Sequence, residues 1–327
     1  MSNKPQILLT GVKPTGRPHI GNYFGAMKQV IDRQADFETN IIFIADLHAL
    51  TTNQDPKDLN QQSIDIAIDY MALGLDMKKA ILFRQSAISA HSELCWIFNC
   101  ITTVPYLSRA HAYKDAMAKN REVNVGTFDY PLLMAADILI YDTDVVPVGQ
   151  DQKQHVEIAR DTAEKFNRLF GETFKMPEPM ILESVKTVPG LDGQKMSKSY
   201  GNTIPLFASD EEIKALVMKI VTDSKAPEEP KDPAKCNIFA LHELFASPEE
   251  LATLRERYEA GGIGYKESKE ILIASMTKFI APLREHRQAI AADPAKVLEI
   301  LKQGADKARL LAEKKIREVK MKTGLSF

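Results

Sequence analysis

The sequence predicts an α/β protein, in which a doubly wound parallel sheet is accompanied by a smaller, all-helical C-terminal domain. Short apolar segments alternate with helical patterns up to about residue 207, as is typical of parallel strands joined by helices. After residue 208 the apolar residues recur only at helical spacing. The length of 327 residues agrees with about two domains.

Four segments are predicted to be strands of this sheet. Each is a short apolar run bounded by polar or turn residues, as in strands that are buried on both faces. The segments are residues 7–9, 40–45, 80–83 and 145–148. Helices are predicted from Ile20 to about Val30, from Pro56 to Leu73 and from Ser89 to Ala116. Asp55 and Pro56 are suited to the N-cap and the first position of the second helix.

The composition is that of an ordinary globular protein with a net charge of −2. No run of about 18 apolar residues is present, so no membrane span is expected. Residues 1–5 lack the apolar segment of a secretion signal, and the predicted location is cytoplasmic. Cys95, Cys100 and Cys236 are few and odd in number, which favours free thiols, with the first two buried in a helix, and no protein-held metal site.

A loop with two lysines is the feature on which the functional prediction depends. The string KMSKS occupies residues 195–199, and glycines on both sides predict a mobile loop over residues 190–203. Two ammonium groups on such a loop can close on a polyphosphate and neutralise the charge of a leaving pyrophosphate. Taken alone, a pair of exposed lysines is more often ordinary solvated surface.

The end of the first predicted strand adds a second phosphate-binding feature. Gly11, Pro14 and Gly16 end the strand, and His19 and Gly21 then lie at the start of a helix. Free N–H groups and the helix dipole attract phosphate at this position. Because Gly21 has no Cβ, a base or a ribose can lie against its backbone.

HIGN at residues 19–22, paired with KMSKS, resembles the signature of the class I aminoacyl-tRNA synthetases. Asn22 stands where that family often has His. The resemblance implies a Rossmann-like catalytic domain of the HIGH/KMSKS type over residues 1–207, which includes the loop 190–203. It also implies a helical domain over residues 208–327 that binds the tRNA anticodon, with its last helix, about residues 305–327, packing back on the catalytic domain.

A third stretch resembles the tryptophanyl branch of this family. It contains YPLLMAADIL from residue 130 and VPVG-x-DQKQH from residue 146. Tyr130, Met134, Asp137 and Tyr141 share one helical face. A carboxylate in these apolar surroundings must be paired or exposed. The resemblance implies that Asp137 is buried and accepts the indole N–H of tryptophan, which would reject phenylalanine because the acceptor would be left unpaired.

The resemblance assigns the site residues as follows. Catalytic roles are implied for His19, Asn22, Lys195 and Lys198. ATP binding is implied for Lys13, Thr15, Gly16, His19, Gly21, Asn22, Gly149, Asp151, Lys195, Met196, Ser197 and Lys198. Tryptophan binding is implied for Leu9, His48, Tyr130, Met134, Asp137, Val146, Val148 and Gln152. The implied partners are ATP as a substrate with Mg²⁺, tryptophan, tRNA(Trp) and a second copy of the chain.

The predicted function is therefore a tryptophan–tRNA ligase, which forms tryptophanyl-adenylate and pyrophosphate and then charges the tRNA. Three alternatives stay open, namely a tyrosyl enzyme, a small-molecule nucleotidyltransferase and a paralogue that binds tryptophan without charging tRNA. Helices after KMSKS argue against the second, and intact lysines in KMSKS argue against the third. Ala116 occupies the place of a second ATP-directed lysine, for which Lys119 or Lys13 is the candidate replacement.

Overall fold

The computed structural model describes residues 6–109, 113, 123–149, 153–181 and 187–326. By its contacts the chain divides into two compact units. The first unit comprises Met1–Gly16, Val30–Leu182 and Asp293–Phe327, and the second comprises Arg17–Gln29 and Glu183–Ala292. Residues 183–207 thus group with the helices, whereas the sequence places the boundary at residue 207. The assignment of residues 208–327 to the tRNA anticodon stays a prediction.

The first unit is built on a five-stranded sheet. Its strands are β1 (Ile7–Val12), β2 (Thr39–Ile44), β3 (Ala80–Arg84), β4 (Val145–Val148) and β5 (Glu178–Ile181). They lie in the order β3-β2-β1-β4-β5, and every neighbouring pair is parallel. The predicted doubly wound parallel sheet is therefore confirmed. The strand order reverses between β1 and β4, which is where ligands bind in open α/β sheets.

Helices cover this sheet and form the body of the second unit. They are α1 (Ile20–Asn22), α2 (Lys28–Asp32), α3 (Asp46–Ala49), α4 (Pro56–Ala72), α5 (Ala90–Ile101), α6 (Val104–Leu107), α7 (Val125–Leu139), α8 (Lys153–Phe170), α9 (Asp210–Val217), α10 (Asn237–Phe245), α11 (Pro248–Ala260), α12 (Tyr265–Ala291) and α13 (Pro294–Thr323). None of the helices in the described part of the chain is both long and apolar enough to cross a bilayer.

Local signals place several of these helices correctly. Asp55 caps α4 as predicted, because its side chain accepts the N–H groups of Lys57 and Asp58. The helix predicted from Ser89 is shorter than expected. It ends at Ile101, because Thr102 and Thr103 are extended, and the next short helix begins at Val104.

Cys95 is buried in α5, whereas Cys100 is exposed and Cys236 is intermediate. The prediction that Cys100 is buried is therefore wrong. It lies in the last turn of α5 on the side away from the core, and all three cysteines are free thiols.

The last helix, α13, belongs to the first unit and packs against β3. Gly304 faces the backbone of Leu82, and a Cβ added there would lie 1.9 Å from the carbonyl oxygen of Leu82. Lys315 is buried and forms ion pairs with Asp142 and Glu318. The basic residues of this helix therefore include at least one that fixes the helix in place.

The second unit has its own small core, formed by Phe239, Leu254, Tyr258 and Ile263. The proline-rich loop 225–233 lies beside this core, where the N–H of Lys231 donates to the carbonyl oxygen of Tyr258. This loop is organised by a buried lysine, since the ammonium of Lys231 donates to the carbonyl groups of residues 226, 227 and 229. A buried ammonium needs such acceptors to offset the loss of water.

Candidate active site

A largely apolar cavity of about 330 Å³ opens in the first unit where the strand order reverses between β1 and β4. Its walls come from β1, β2, β4, α3 and α7 and from the ends of neighbouring segments. The lining residues are Leu9, Gly11, Lys13, Phe43, Ala45, His48, Thr51, Thr52, Thr127, Tyr130, Met134, Asp137, Ile138, Val146 and His155. An apolar cavity with a few convergent polar groups is typical of a small-molecule site.

Six of the residues predicted to bind tryptophan line this cavity. They are Leu9, His48, Tyr130, Met134, Asp137 and Val146. Val148 is buried in β4 but does not line the cavity. Gln152 lies outside the described residues, as do Asp151, Ala116 and Lys119. The sequence did not single out Phe43, although it stands in the middle of a predicted strand.

Phe43 occupies space that a side chain on β1 would otherwise fill. Gly11 and Phe43 are register partners on β1 and β2. A Cβ on Gly11 would lie 2.4 Å from Cζ of the Phe43 ring. The glycine therefore lets the phenyl ring lie across the neighbouring strand and form a flat wall of the cavity.

Asp137 contributes a fully buried carboxylate to the cavity from α7. Its Oδ1 accepts from Gln85 Nε2 at 2.7 Å and lies 2.5 Å from His91 Nδ1. Its Oδ2 accepts from Gln85 Nε2 at 2.9 Å and lies 2.8 Å from His48 Nε2. The interpretation of Asp137 as an exposed helical residue is therefore wrong, and the implied burial is confirmed.

The charge of this carboxylate is set by its neighbours. Burial acts to raise the pKa of Asp137, but the hydrogen bonds from His48 and His91 outweigh burial and lower the pKa to about 2. Asp137 is thus an anion and a pure acceptor at neutral pH. Gln85 and His91 were not predicted, because nothing in the sequence connects them with a residue about 50 positions away.

Two further polar pairs face the same cavity. The Tyr130 hydroxyl lies 2.7 Å from His155 Nε2, and burial raises the pKa of Tyr130. The ammonium of Lys13 donates to Thr51 Oγ1 at 3.3 Å, and burial lowers its pKa. The sequence assigned Lys13 to ATP, and the structure places it in the wall of this cavity.

Three further residues that the sequence assigns to ATP lie outside the lining of this cavity. Thr15 and Gly16 follow β1, where Thr15 is exposed and Gly16 has a φ of +80°. Gly149 directly follows β4. In an open α/β sheet the carboxyl ends of the strands are the usual place for ligand contacts.

In the second unit, His19 lies at the start of α1 as predicted, and it forms a reciprocal cap with Asn22. Asn22 Oδ1 accepts the N–H of His19 at 3.1 Å, and His19 Nδ1 accepts the N–H of Asn22 at 3.2 Å. Burial, followed by the charge of Lys198, lowers the pKa of His19 to about 4. His19 is therefore neutral at pH 7, and because Nδ1 is an acceptor, its proton lies on Nε2.

Gly21 leaves the space that this imidazole occupies. A Cβ on Gly21 would lie 3.0 Å from His19 Nδ1 and 3.4 Å from Cβ of Met196. The string HIGN and the string KMSKS therefore approach each other within the second unit. The sequence expected Gly21 to make room for a ligand, and the structure shows that it makes room for His19.

The predicted loop 190–203 is a loop in the structure, and its mobility stays a prediction. Asn202 is buried within it, accepts the N–H of Ser197 at 2.8 Å and donates to Asp192 at 2.7 Å. Met196 is buried, whereas Lys195 and Lys198 are exposed. The two lysine ammonium groups are therefore exposed on a loop whose backbone is held by the hydrogen bonds of Asn202. Asn202 was not assigned a role from the sequence.

Comparison with known proteins agrees with this arrangement. The family described as tRNA synthetases class I (W and Y) matches residues 1–281. A tryptophan–tRNA ligase of Rhodopirellula baltica is 47% identical over 97% of this chain and 99% of its own length. One from Fusobacterium nucleatum is 47% identical over 97% of each chain.

A solved structure is also similar to this chain in sequence and in fold. The tryptophanyl-tRNA synthetase of Campylobacter jejuni, complexed with ADP and tryptophan, is 45% identical and superposes with a TM-score of 0.92. The match covers 98% of this chain and 100% of that one. With the parallel sheet, the cavity at its switch point and the two signature strings, these likenesses lead to one conclusion. The chain belongs to the class I tRNA synthetases for tryptophan and tyrosine, and within them to the tryptophan–tRNA ligases.

Proposed function

We propose that this chain joins tryptophan to tRNA(Trp) in two steps, using ATP. In the first step a tryptophan carboxylate oxygen attacks the α-phosphorus of ATP. The bond between the α-phosphorus and the bridging oxygen breaks, and pyrophosphate leaves. In the second step a ribose hydroxyl at the end of the tRNA attacks the mixed anhydride, and AMP leaves. Both steps depend on positioning and on charge stabilisation more than on covalent help from the protein.

The observation that carries the choice of tryptophan is the buried Asp137 anion in an apolar cavity. The indole N–H is a donor, and His48 is the donor on the cavity side that it would replace at Oδ2. Met134 and Val146 supply apolar walls for the ring. Phenylalanine has no N–H group with which to replace His48, so its ring would gain no hydrogen bond from the carboxylate, and a site built around a hydrogen bond discriminates strongly against such a ligand.

The amino group of tryptophan needs an acceptor at the other side of the ring. Tyr130, with its hydroxyl fixed by His155, is the described candidate, and Gln152 is the second candidate from the sequence. Leu9 completes the wall from β1, and Val148 supports that wall from within β4.

The phosphates of ATP are assigned to the second unit. His19 would donate from Nε2 to a phosphate oxygen, and Asn22 fixes its ring through the reciprocal cap. Lys195 and Lys198 would neutralise the charge that builds on pyrophosphate as it leaves. Met196 and Ser197 shape the loop that carries them. Mg²⁺ is expected to accompany ATP as a complex with its phosphates, which is how this ion is usually bound at nucleotide sites.

The ribose and the remaining phosphate contacts are assigned to the turns after β1 and β4. Thr15, Gly16 and Gly149 offer backbone groups there, and Asp151 is the candidate for the ribose hydroxyl groups. Gly21 and Lys13 keep their assignment to the nucleotide as part of the same proposal.

The first experiment is amino-acid-dependent exchange between ATP and pyrophosphate, with the twenty amino acids tested separately. Tryptophan alone is expected to support exchange, and charging of tRNA(Trp) should follow when the tRNA is added. Exchange driven by tyrosine alone would contradict the indole assignment and leave the phosphate site intact. Tryptophan binding without exchange, also in the presence of tRNA, would identify a non-charging paralogue.

A homodimer is expected through the surface formed by α5, α6 and α7. Trp96, Val104 and Val125 expose 70%, 66% and 80% of their surface there, and a patch of exposed apolar side chains is typical of a protein–protein interface. The chain has one tryptophan, so fluorescence reports on this surface directly. Sedimentation at micromolar concentration is expected to show a dimer, with Trp96 emission shifting to the red on dilution. A monomer at all concentrations would contradict the assignment.

A further inference from the structure

Three donors surround the Asp137 carboxylate, and they differ in access to the cavity. His48 lines the cavity, whereas Gln85 and His91 are fully buried and do not line it. A ligand can therefore take the place of His48 and leave the other two donors where they are. Gln85 and His91 keep their hydrogen bonds to the carboxylate while the donor that faces the cavity is replaced.

His91 is itself held by a fourth residue. Its Nε2 lies 2.7 Å from the hydroxyl oxygen of Tyr141, and its Nδ1 lies 2.5 Å from Asp137 Oδ1. Tyr141 is 3% exposed and lies just after the end of α7. Burial, followed by the charge of Asp137, raises the pKa of Tyr141, so the phenol keeps its proton and can donate it.

The direction of these hydrogen bonds follows from the atoms present. A neutral imidazole has one N–H group and one acceptor nitrogen. If Tyr141 donates to Nε2, the proton of His91 must lie on Nδ1, where it is donated to Asp137. In the opposite tautomer the lone pair of Nδ1 would face a carboxylate oxygen at 2.5 Å, which is repulsive.

We infer that Tyr141 is a positioning residue for recognition of the indole N–H, because it fixes the His91 tautomer that holds Asp137 as an oriented acceptor. This inference rests on the proposed function, in which Asp137 accepts from tryptophan. Without the Tyr141 hydroxyl, His91 Nε2 loses its donor and the ring is held only through Nδ1. The ring and the carboxylate can then turn away from the orientation in which Asp137 accepts the indole N–H.

Loss of the Tyr141 hydroxyl is expected to affect only ligands that carry the indole N–H group. β-(3-Benzothienyl)alanine has nearly the shape of tryptophan, with a sulfur atom in place of the indole N–H. The ratio of kcat/KM for tryptophan to kcat/KM for this analogue therefore reports on the single contact with Asp137. A change in packing would lower both values together and leave the ratio unchanged.

The test compares Tyr141→Phe with wild type in adenylate formation. The ratio is expected to fall about tenfold, since loss of one well-oriented hydrogen bond to a charged group costs roughly 1.4 kcal/mol or more. The fall should come from a higher KM for tryptophan, with kcat/KM for the analogue nearly unchanged. Tyr106→Phe is the control for loss of a tyrosine hydroxyl, because this hydroxyl donates to Asp161 and the residue does not line the cavity. The ratio measured for Tyr106→Phe should equal that of wild type.

Asp137→Asn separates the inference from the proposed function. If this variant loses the preference for tryptophan while Tyr141→Phe retains it, Asp137 accepts the indole N–H but Tyr141 does not position Asp137. If Asp137→Asn leaves the ratio unchanged, the proposed indole contact itself is wrong. An equal fall in kcat/KM for tryptophan and for the analogue in Tyr141→Phe would also overturn the inference, because it would indicate a packing role.

A measurement on the unmodified protein covers the case in which Tyr141→Phe does not fold. ¹⁵N NMR of histidine-labelled protein distinguishes the two neutral tautomers and the charged ring, and His91→Gln identifies the signal of His91 among the seven histidines. A neutral ring with its proton on Nδ1 is expected. A proton on Nε2, with or without one on Nδ1, would overturn the inference.

Discussion

Replacement of Lys195 with alanine is expected to slow adenylate formation about 10²–10³-fold, which is the usual effect of removing one group that stabilises transition-state charge. The affinity for tryptophan should be almost unchanged. Lys195 is exposed on the loop of the second unit, whereas the cavity proposed for tryptophan lies in the first unit. An interaction made only in the transition state lowers kcat without weakening the binding of the ground state.

Single-turnover formation of the adenylate measures the rate, and equilibrium dialysis with radiolabelled tryptophan measures the affinity. Lys219→Ala is the matched control, because Lys219 is also an exposed lysine of the second unit, outside the KMSKS string. Its rate should match that of wild type. An equal loss of rate and of tryptophan affinity in Lys195→Ala would exclude the transition-state role.

Replacement of Gly304 with alanine is expected to reduce the free energy of unfolding by about 1–3 kcal/mol or more, as for overpacking of a well-packed core. A methyl group there would lie 1.9 Å from the carbonyl oxygen of Leu82. Because that atom belongs to the backbone of β3, it cannot turn away as a flexible side chain could. Helix α13 must move off the sheet or β3 must distort.

Urea unfolding, followed by far-UV circular dichroism, measures this loss. Gly126→Ala in α7 is the matched control in the same unit, because a Cβ there meets atoms only at 3.4 Å and beyond. Alanine is expected to leave the stability at this helical position unchanged or slightly higher. Equal stabilities of Gly304→Ala and wild type would show that α13 does not approach β3 this closely.

The sequence predicts those parts of the fold that depend on local patterns. Four strands, the cap at Asp55 and the helix start at His19 each follow from a few neighbouring residues. The fifth strand, β5, was missed, because Glu178–Ile181 is short and contains Pro179, which marks it as an edge strand rather than a buried one. The alternation of strands and helices predicted the parallel sheet, whereas the strand order that places the switch point between β1 and β4 was seen only in the structure.

The site is less predictable where it depends on long-range pairing. The resemblance of one helix to the tryptophanyl branch identified Asp137. Its partners Gln85 and His91 come from the segment after β3 and from α5, and nothing in their local sequence distinguishes them from core residues. Tyr141 was noted only as a member of a helical face. The grouping of residues 17–29 with residues 183–292 likewise arises from contacts that local patterns do not contain.

The place of α13 in the first unit affects how the protein can be made. Strand β3 leaves the ribosome long before residues 294–323, and at about 5–20 residues per second the interval is roughly 10–50 s. During that time the face of β3 that receives Gly304 has no helix on it, and the second unit, which ends at Ala292, is synthesised completely before α13. The first unit therefore receives its last helix only after the chain of the second unit has been synthesised.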